Sequence, residues 1–175
     1  VQAQLFKTKW GWGAVLYSPK GLKEIFLPKP FKAEIFQELP KGASVAENGS
    51  HPAVLQLVEY FFGKRSEFDL EFDLEGFTQF QKSVYKEAVQ IPYGRTSSYQ
   101  ELARVAGLPQ GARAVAGALS QNPIPIVIPC HRVIQKNGKL GGFSGGVTWK
   151  SALLDLERSQ MKTQLMEQSE HKLSV

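Results

Sequence analysis

The sequence predicts an α+β fold, with strands at the front and helices behind. Three observations carry this. The first thirty residues alternate and turn like an antiparallel meander. Phe68-Asp69-Leu70-Glu71-Phe72-Asp73-Leu74 alternates strictly between apolar and acidic residues. From Thr78 onward the apolar residues instead recur at helical spacing.

Leu5-Phe6, the run Gly11-Trp12-Gly13-Ala14-Val15-Leu16-Tyr17 and Lys23-Glu24-Ile25-Phe26-Leu27 read as the strands of the meander. Ser18-Pro19-Lys20-Gly21 forms its second turn, and Pro28 and Pro30 close it. Residues 31–50, with Pro40-Lys41-Gly42 and Glu47-Asn48-Gly49-Ser50, read as irregular linker. Pro52 opens a helix that ends at Gly63, its apolar side made of Val54, Leu55, Val58, Phe61 and Phe62. The alternating stretch 68–74 has the signature of a half-buried strand.

Thr78 caps a helix running through Val89, with Phe80, Val84, Tyr85 and Ala88 at helical spacing. After a turn at Ile91-Pro92-Tyr93-Gly94, Ser97 or Ser98 caps a second helix, Tyr99 to Ala106, with Leu102, Val105 and Ala106 inward. Gly107-Leu108-Pro109-Gln110-Gly111 breaks it, and a third helix spans Ala112 to Ser120. Two short helices joined by a Gly-containing turn make a helix-turn-helix pattern. Asn122-Pro123-Ile124-Pro125-Ile126-Val127-Ile128 reads as a short buried strand that Pro129 must end, since proline has no N–H to extend a ladder. Gln135-Lys136-Asn137-Gly138-Lys139 is a turn, and Gly141-Gly142-Phe143-Ser144-Gly145-Gly146 is a loop in which backbone N–H groups can come close to a ligand. A last helix runs from Val147 to about Glu157, burying Leu153, Leu154 and Leu156. The remainder is polar, loosely held and at most partly helical.

At 175 residues, 42% of them hydrophobic, the chain buries a real core as one or two small domains. One cysteine excludes an intrachain disulfide, no Cys/His cluster has zinc-site spacing, and the first residues lack a signal-peptide core. No apolar run approaches the roughly 20 residues of a membrane span. The expectation is therefore a soluble, intracellular protein. The net charge of +5 is unevenly placed: residues 1–75 hold nine Lys/Arg against ten Asp/Glu, and residues 76–157 hold nine against four. The basic excess lies in the segment that contains the only cysteine, which points to a polyanion as partner.

That cysteine, Cys130, stands in Pro129-Cys130-His131-Arg132-Val133, beside one of only three histidines. A thiol next to an imidazole is a candidate nucleophile with its base; a lone buried cysteine is equally a small hydrophobe. The third helix is nearly bare, with Ala112, Ala114 and Gly117 exposing backbone and Arg113 its one long side chain. Such a helix suits close approach to a minor groove, with Arg113 as a wedge, or tight packing on another helix.

Taken together these residues resemble the O6-alkylguanine-DNA alkyltransferases, also called methylated-DNA–protein-cysteine methyltransferases. Ile128-Pro129-Cys130-His131-Arg132-Val133 matches the family's active-site signature. Ser98-Tyr99, Arg113-Ala114-Val115, Asn122-Pro123 and Ser144-Gly145-Gly146 match in order and spacing. The likeness is strongest from about Phe77 to Glu157 and weak over residues 1–76.

The resemblance implies an N-terminal α/β domain of ribonuclease H-like type with a small antiparallel sheet (1–76). It implies a mostly helical domain with the helix-turn-helix (77–158) and a polar tail (159–175). It implies a single-turnover S-methyltransferase for direct-reversal DNA repair. The alkyl group of O6-alkylguanine in duplex DNA, with O4-alkylthymine a further candidate, passes irreversibly to Cys130 after nucleotide flipping. By the same resemblance His131 is the base, reached through a bridging water; Glu157 holds the imidazole's far nitrogen and Asn122 supports the network. Tyr99, the carbonyls of Cys130 and Val133, Phe143 and the Ser144 N–H contact the flipped base. Arg113, Tyr99, Ala112, Ala114 and Gly117 face the DNA minor groove. Phe143 stands where several relatives carry tyrosine. No cofactor, no metal, no membrane and a monomer are implied, in the cytoplasm of a prokaryote or the nucleus of a eukaryote. The alternatives are a lesion-recognition module that binds DNA without transfer, and a Cys-His hydrolase.

Overall fold

The computed structural model describes residues 1–46 and 51–174, so the expected linker residues Glu47 to Ser50 lie outside the described residues. β1 (Gln2–Thr8), β2 (Gly11–Ser18) and β3 (Gly21–Lys29) form the predicted antiparallel meander, with β3 running through Pro28. Residues 31–46 are not the irregular linker expected of them. They fold into α1 (Lys32–Glu38) and a short β4 (Ser44–Ala46), which pairs parallel to β1 and completes a sheet of order β3-β2-β1-β4. The sheet is therefore mixed. Its central strand is buried on both faces, which is why Ala14, Val15 and Leu16 run apolar without alternation. Ala14, Leu16 and Phe26 pack with Ile35 of α1 on one side. Phe6, Val15, Leu22 and Ile25 face the main core on the other.

α2 (Pro52–Phe61) covers that second face. Its buried residues are Ala53, Gln56, Leu57, Tyr60 and Phe61, a regular i, i+3, i+4, i+7 stripe. Of the expected apolar side, Phe61, Val54 and Val58 pack on the core, but Leu55 and Phe62 are exposed at 61% and 48%. Gln56 is tolerated inside because its amide exchanges two hydrogen bonds with the Asp69 backbone, at 2.9 and 3.2 Å.

Stretch 68–74 is not a strand. Leu22 N donates to Glu71 O and Asp73 N to Leu22 O, making a single bridge to β3. Phe68, Leu70, Phe72 and Leu74 still pack on the core. Alternation there reports which apolar side chains pack inward and not a ladder, and it misses Asp73, which is buried at 6% exposure against Ser18 and Lys23.

α3 (Gln79–Val89) begins at Thr78 as predicted. Thr78 Oγ1 accepts from Gln81 N at 3.1 Å, and Gln81 Oε1 accepts from Thr78 N at 2.9 Å. Thr78→Ala should cost about 1 kcal/mol, read as a lower urea midpoint at unchanged m-value; an unchanged midpoint would contradict it. β5 (Ser97–Ser98) leads into α4 (Tyr99–Val105), which Ser98 caps by accepting from Glu101 N at 3.1 Å. α4 buries Leu102 and Ala103, while Val105, expected inward, is 47% exposed. α5 (Ala112–Ser120) packs against α3 and α4 through Val115, Ala118 and Leu119.

Residues 122–128 are buried except for the half-buried Pro123, but they form no strand. With prolines at 123, 125 and 129 the segment lacks the donors a ladder needs. Asn122 substitutes for one: its Oδ1 accepts from Ile124 N at 3.0 Å and its Nδ2 donates to Ile128 O at 2.8 Å. Ile25 N donates to Pro123 O, tying the loop to β3. Cys130 consequently opens a single 3-10 turn, Cys130–Arg132, and not the end of a strand. β6 (Val133–Ile134) follows and pairs parallel with β5, register Ser97↔Val133. α6 (Val147–Leu173) buries Leu153, Leu154 and Leu156 as expected and continues as one helix through the expected tail.

One main core joins Phe6, Leu57 and Phe61 with Val84, Leu102, Val115, Ile128 and Leu153. It bridges the boundary expected near residue 76. No helix among the described residues is long and apolar enough to cross a membrane.

Candidate alkyl-acceptor site

The parallel pairing of β5 with β6 places the first residue of α4, Tyr99, beside the 3-10 turn that carries Cys130. A cavity of about 320 Å³ results, lined by Tyr99, Ala116, Leu119, Ser120, Cys130, Gly142, Phe143 and Ser144. That lies at the small end of ligand pockets, which run from roughly 300 to 1,000 Å³. A larger hollow of about 860 Å³ flanks the far end of α6 but touches that helix alone. Gly141 has φ +72°, and a Cβ there would lie 2.8 Å from the Tyr99 hydroxyl, so the glycine loop needs glycine to close on the tyrosine.

Cys130 is 6% exposed at the cavity. Burial pushes its thiol above the ordinary range, against the Asn122 amide, the Lys150 charge and backbone N–H groups, which favour the thiolate. Its resting form is therefore the neutral thiol. Behind it His131, Arg132 and Glu157 form a buried cluster. His131 Nε2 lies 2.7 Å from Glu157 Oε1, and neither side chain is exposed. Burial lowers the imidazole's proton affinity and outweighs the pull of Glu157, so the ring is neutral. A carboxylate only accepts, so Nε2 carries the ring proton. Nδ1 is then a bare acceptor, and among the described residues it has no partner. Burial by itself would raise the Glu157 carboxyl, but the hydrogen bond from His131 and the hydrogen bonds and charge of Arg132 hold it at about 2. Arg132 reaches it through Nε and Nη2 at 2.9–3.2 Å and also donates to Ile91 O at 2.7 Å.

Of the residues singled out by sequence, Cys130, Tyr99, Phe143 and Ser144 line the cavity. Asn122 closes the loop that leads into Cys130, and its amide favours the thiolate. His131 and Glu157 lie in the buried cluster. The Val133 carbonyl already accepts from Lys150 Nζ at 2.6 Å. On α5, Arg113, Ala114 and Gly117 are exposed and Ala112 is half-buried. The adjoining flank of the same helix, Ala116, Leu119 and Ser120, walls the cavity and was not foreseen.

Two other residues escaped the sequence reading. Lys150 is fully buried and donates to Tyr99 Oη, Val133 O and Gly142 O. Burial lowers it to about 8 against the opposing influence of Cys130. It stands seven residues before Glu157, on one face with Leu153 and Leu154, and a lysine in an apolar stripe is the signal that marks it. Tyr60 of α2 donates to Glu157 Oε1 at 2.8 Å. No sequence signal separates it from an ordinary core tyrosine.

A family model described as the DNA-binding domain of 6-O-methylguanine DNA methyltransferase matches residues 79–159. The methylated-DNA–protein-cysteine methyltransferase of Mycobacterium tuberculosis is 52% identical over 113 residues, 65% of this chain and 68% of its own. That of Methanosarcina barkeri is 43% identical over 143 residues, 82% and 88% of the two chains. Among solved structures, Mycobacterium tuberculosis OGT in complex with DNA superposes with TM-score 0.79 at 38% identity, covering 91% of this chain and 94% of its own. With the cysteine, histidine and carboxylate gathered behind one cavity and relatives matched over most of its length, the chain belongs to the methylated-DNA–protein-cysteine methyltransferases.

Proposed function

We propose that this chain reverses O6-alkylguanine damage in duplex DNA by moving the alkyl group onto Cys130, once per molecule and irreversibly. The observation that carries the reading is Cys130 at a cavity walled by Tyr99, Phe143 and Ser144, with His131 and Glu157 directly behind. In the displacement, the Cys130 sulfur bonds to the alkyl carbon as the bond from that carbon to O6 breaks. The electron pair leaves with the purine, and the thiol proton passes through a bridging water to Nδ1 of His131, whose cation Glu157 stabilises. Tyr99 gives its proton to the departing purine, which eases loss of the leaving group. The proton taken up by His131 returns through solvent to the tyrosinate, so the net change is one proton moved from thiol to purine. Because a thioether does not revert, no turnover follows. Lys150 donates to the Tyr99 oxygen, so the tyrosine's own proton is directed elsewhere, toward the cavity.

The sparse outer face of α5 supports minor-groove docking, with exposed Arg113 filling the gap left by the rotated nucleotide. Intact-mass measurement after incubation with a duplex containing O6-methylguanine tests the reading. One methyl group per molecule, mapped to the Cys130 peptide, is expected; an unmodified protein would overturn it. Arg113→Ala should slow transfer from duplex by about 10- to 100-fold, part of the few kcal/mol of unstacking. Reaction with free O6-alkylguanine base should change little. Equal loss on both substrates would remove the role in flipping.

A further inference from the structure

The buried carboxylate behind the thiol is completed from the other end of the chain. Tyr60, on α2, reaches Glu157 across 97 residues of sequence. Its ring is 0% exposed and is held by edge contacts with Phe61 and Tyr93 and by Phe68, at centroid distances of 5.7–6.1 Å. The hydroxyl therefore has one place to point. The oxygen it meets, Oε1, is also the acceptor for His131 Nε2 at 2.7 Å and for Arg132 Nη2 at 2.9 Å. Oε2 is taken by Arg132 Nε at 3.0 Å and Gly94 N at 3.1 Å. With the carboxylate ionised, the tyrosine is necessarily the donor. Burial and the Glu157 charge keep its phenol well above the ordinary range, so it stays one.

We propose that Tyr60 is a positioning residue of the alkyl-transfer site, its O–H sharing Oε1 with His131 and so setting how strongly Glu157 draws on the imidazole. The inference rests on the reading of His131 as the base. Each donor on Oε1 withdraws negative charge from it, and the less charge remains, the less an imidazolium is favoured. With Tyr60 present, His131 stays neutral, and its Nδ1 free to accept, to lower pH. Residues 1–76 then contribute to the chemistry and not only to the scaffold.

The groups facing the pair are Arg132 from the 3-10 turn, Tyr93 and the Gly94 N–H from the loop before β5, Lys150 from α6, and Cys130. Lys150 and Tyr93 change charge near 8 and 12, above the limb on which His131 loses its proton, so that limb reports His131.

The test compares the unaltered chain with Tyr60→Phe, which keeps the ring and removes only the hydroxyl. Leu57→Val, on the same buried stripe of the helix but with no hydrogen bond to lose, controls for loosened packing. Two quantities are read across pH: single-turnover methyl transfer from duplex O6-methylguanine, and the His131 ring proton by NMR. In Tyr60→Phe both the acidic limb and the NMR titration should move to higher pH, with transfer on that limb slowed about threefold or more. Leu57→Val should move neither. Coincident curves for wild type and Tyr60→Phe would overturn the inference, as would an equal shift in Leu57→Val. An NMR shift with an unmoved rate profile would uphold the coupling and overturn His131 as the base.

Discussion

Cys130→Ser is expected to abolish alkyl uptake while leaving affinity for duplex DNA within about twofold, since one uncharged atom changes and the phosphate contacts that dominate binding do not. Serine keeps the shape and hydrogen-bonding capacity of the side chain, so Asn122 and the 3-10 turn can remain in place. What it lacks is an accessible anion. Even the thiol, whose ordinary value is about 8.5, is held neutral here by burial. A hydroxyl in the same low-dielectric position, with only a neutral imidazole behind it, stays protonated. Intact-mass spectrometry against methylated duplex reads the uptake, and fluorescence anisotropy with the same duplex reads the binding. Residual methylation of the variant would place the acceptor elsewhere, and loss of binding would mean that Cys130 holds up the fold.

The contrast between what was legible and what was not is physical. Cys130 and His131 were legible from their own pairing, whereas Tyr99 and Ser144 were named through the family resemblance; the structure sets Tyr99 and Ser144 on the cavity of Cys130. The caps at Thr78 and Ser98 were legible because a hydroxyl before a helical repeat satisfies backbone donors locally. Strand assignments at 68–74 and 122–128 failed for a common reason: apolar patterning reports burial, while a ladder also needs a partner and free N–H groups. Prolines 123, 125 and 129 deny the second stretch its donors, and only Leu22 is offered to the first. Ile126 even adopts φ +76°, a conformation rare for a β-branched residue, which no local pattern foretells. The face of α2 was only partly read: Phe61, Val54 and Val58 pack on the core, but the large apolar Leu55 and Phe62 point outward, while inward Gln56 and Tyr60 owe their places to partners beyond the helix. Long-range polar pairing is what a pass along the chain misses, and the site depends on it at Tyr60 and Lys150.

Glu157→Gln tests that dependence at its centre. The wild-type carboxylate is 0% exposed and accepts from His131, Arg132, Tyr60 and Gly94. Every neighbour is a donor. A carboxamide has one acceptor oxygen and one NH2, so either flip sets donor against donor. It also leaves the Arg132 guanidinium buried without the anion it pairs with at 2.9 Å. Breaking a buried pair from one side typically costs about 3–5 kcal/mol, a large share of the roughly 5–15 kcal/mol that holds a domain folded. The variant should therefore show a much lower urea midpoint at neutral pH. The pH dependence has a definite sign. Because Glu157 is held at about 2 in the fold and would titrate near 4.3 when unfolded, its contribution is complete above the unfolded value. It is lost as pH falls through the folded one. The stability gap between wild type and Glu157→Gln should accordingly be widest above about pH 5 and narrow toward pH 2. A gap that stays constant across that range would mean that the carboxylate's charge contributes nothing to holding the site together.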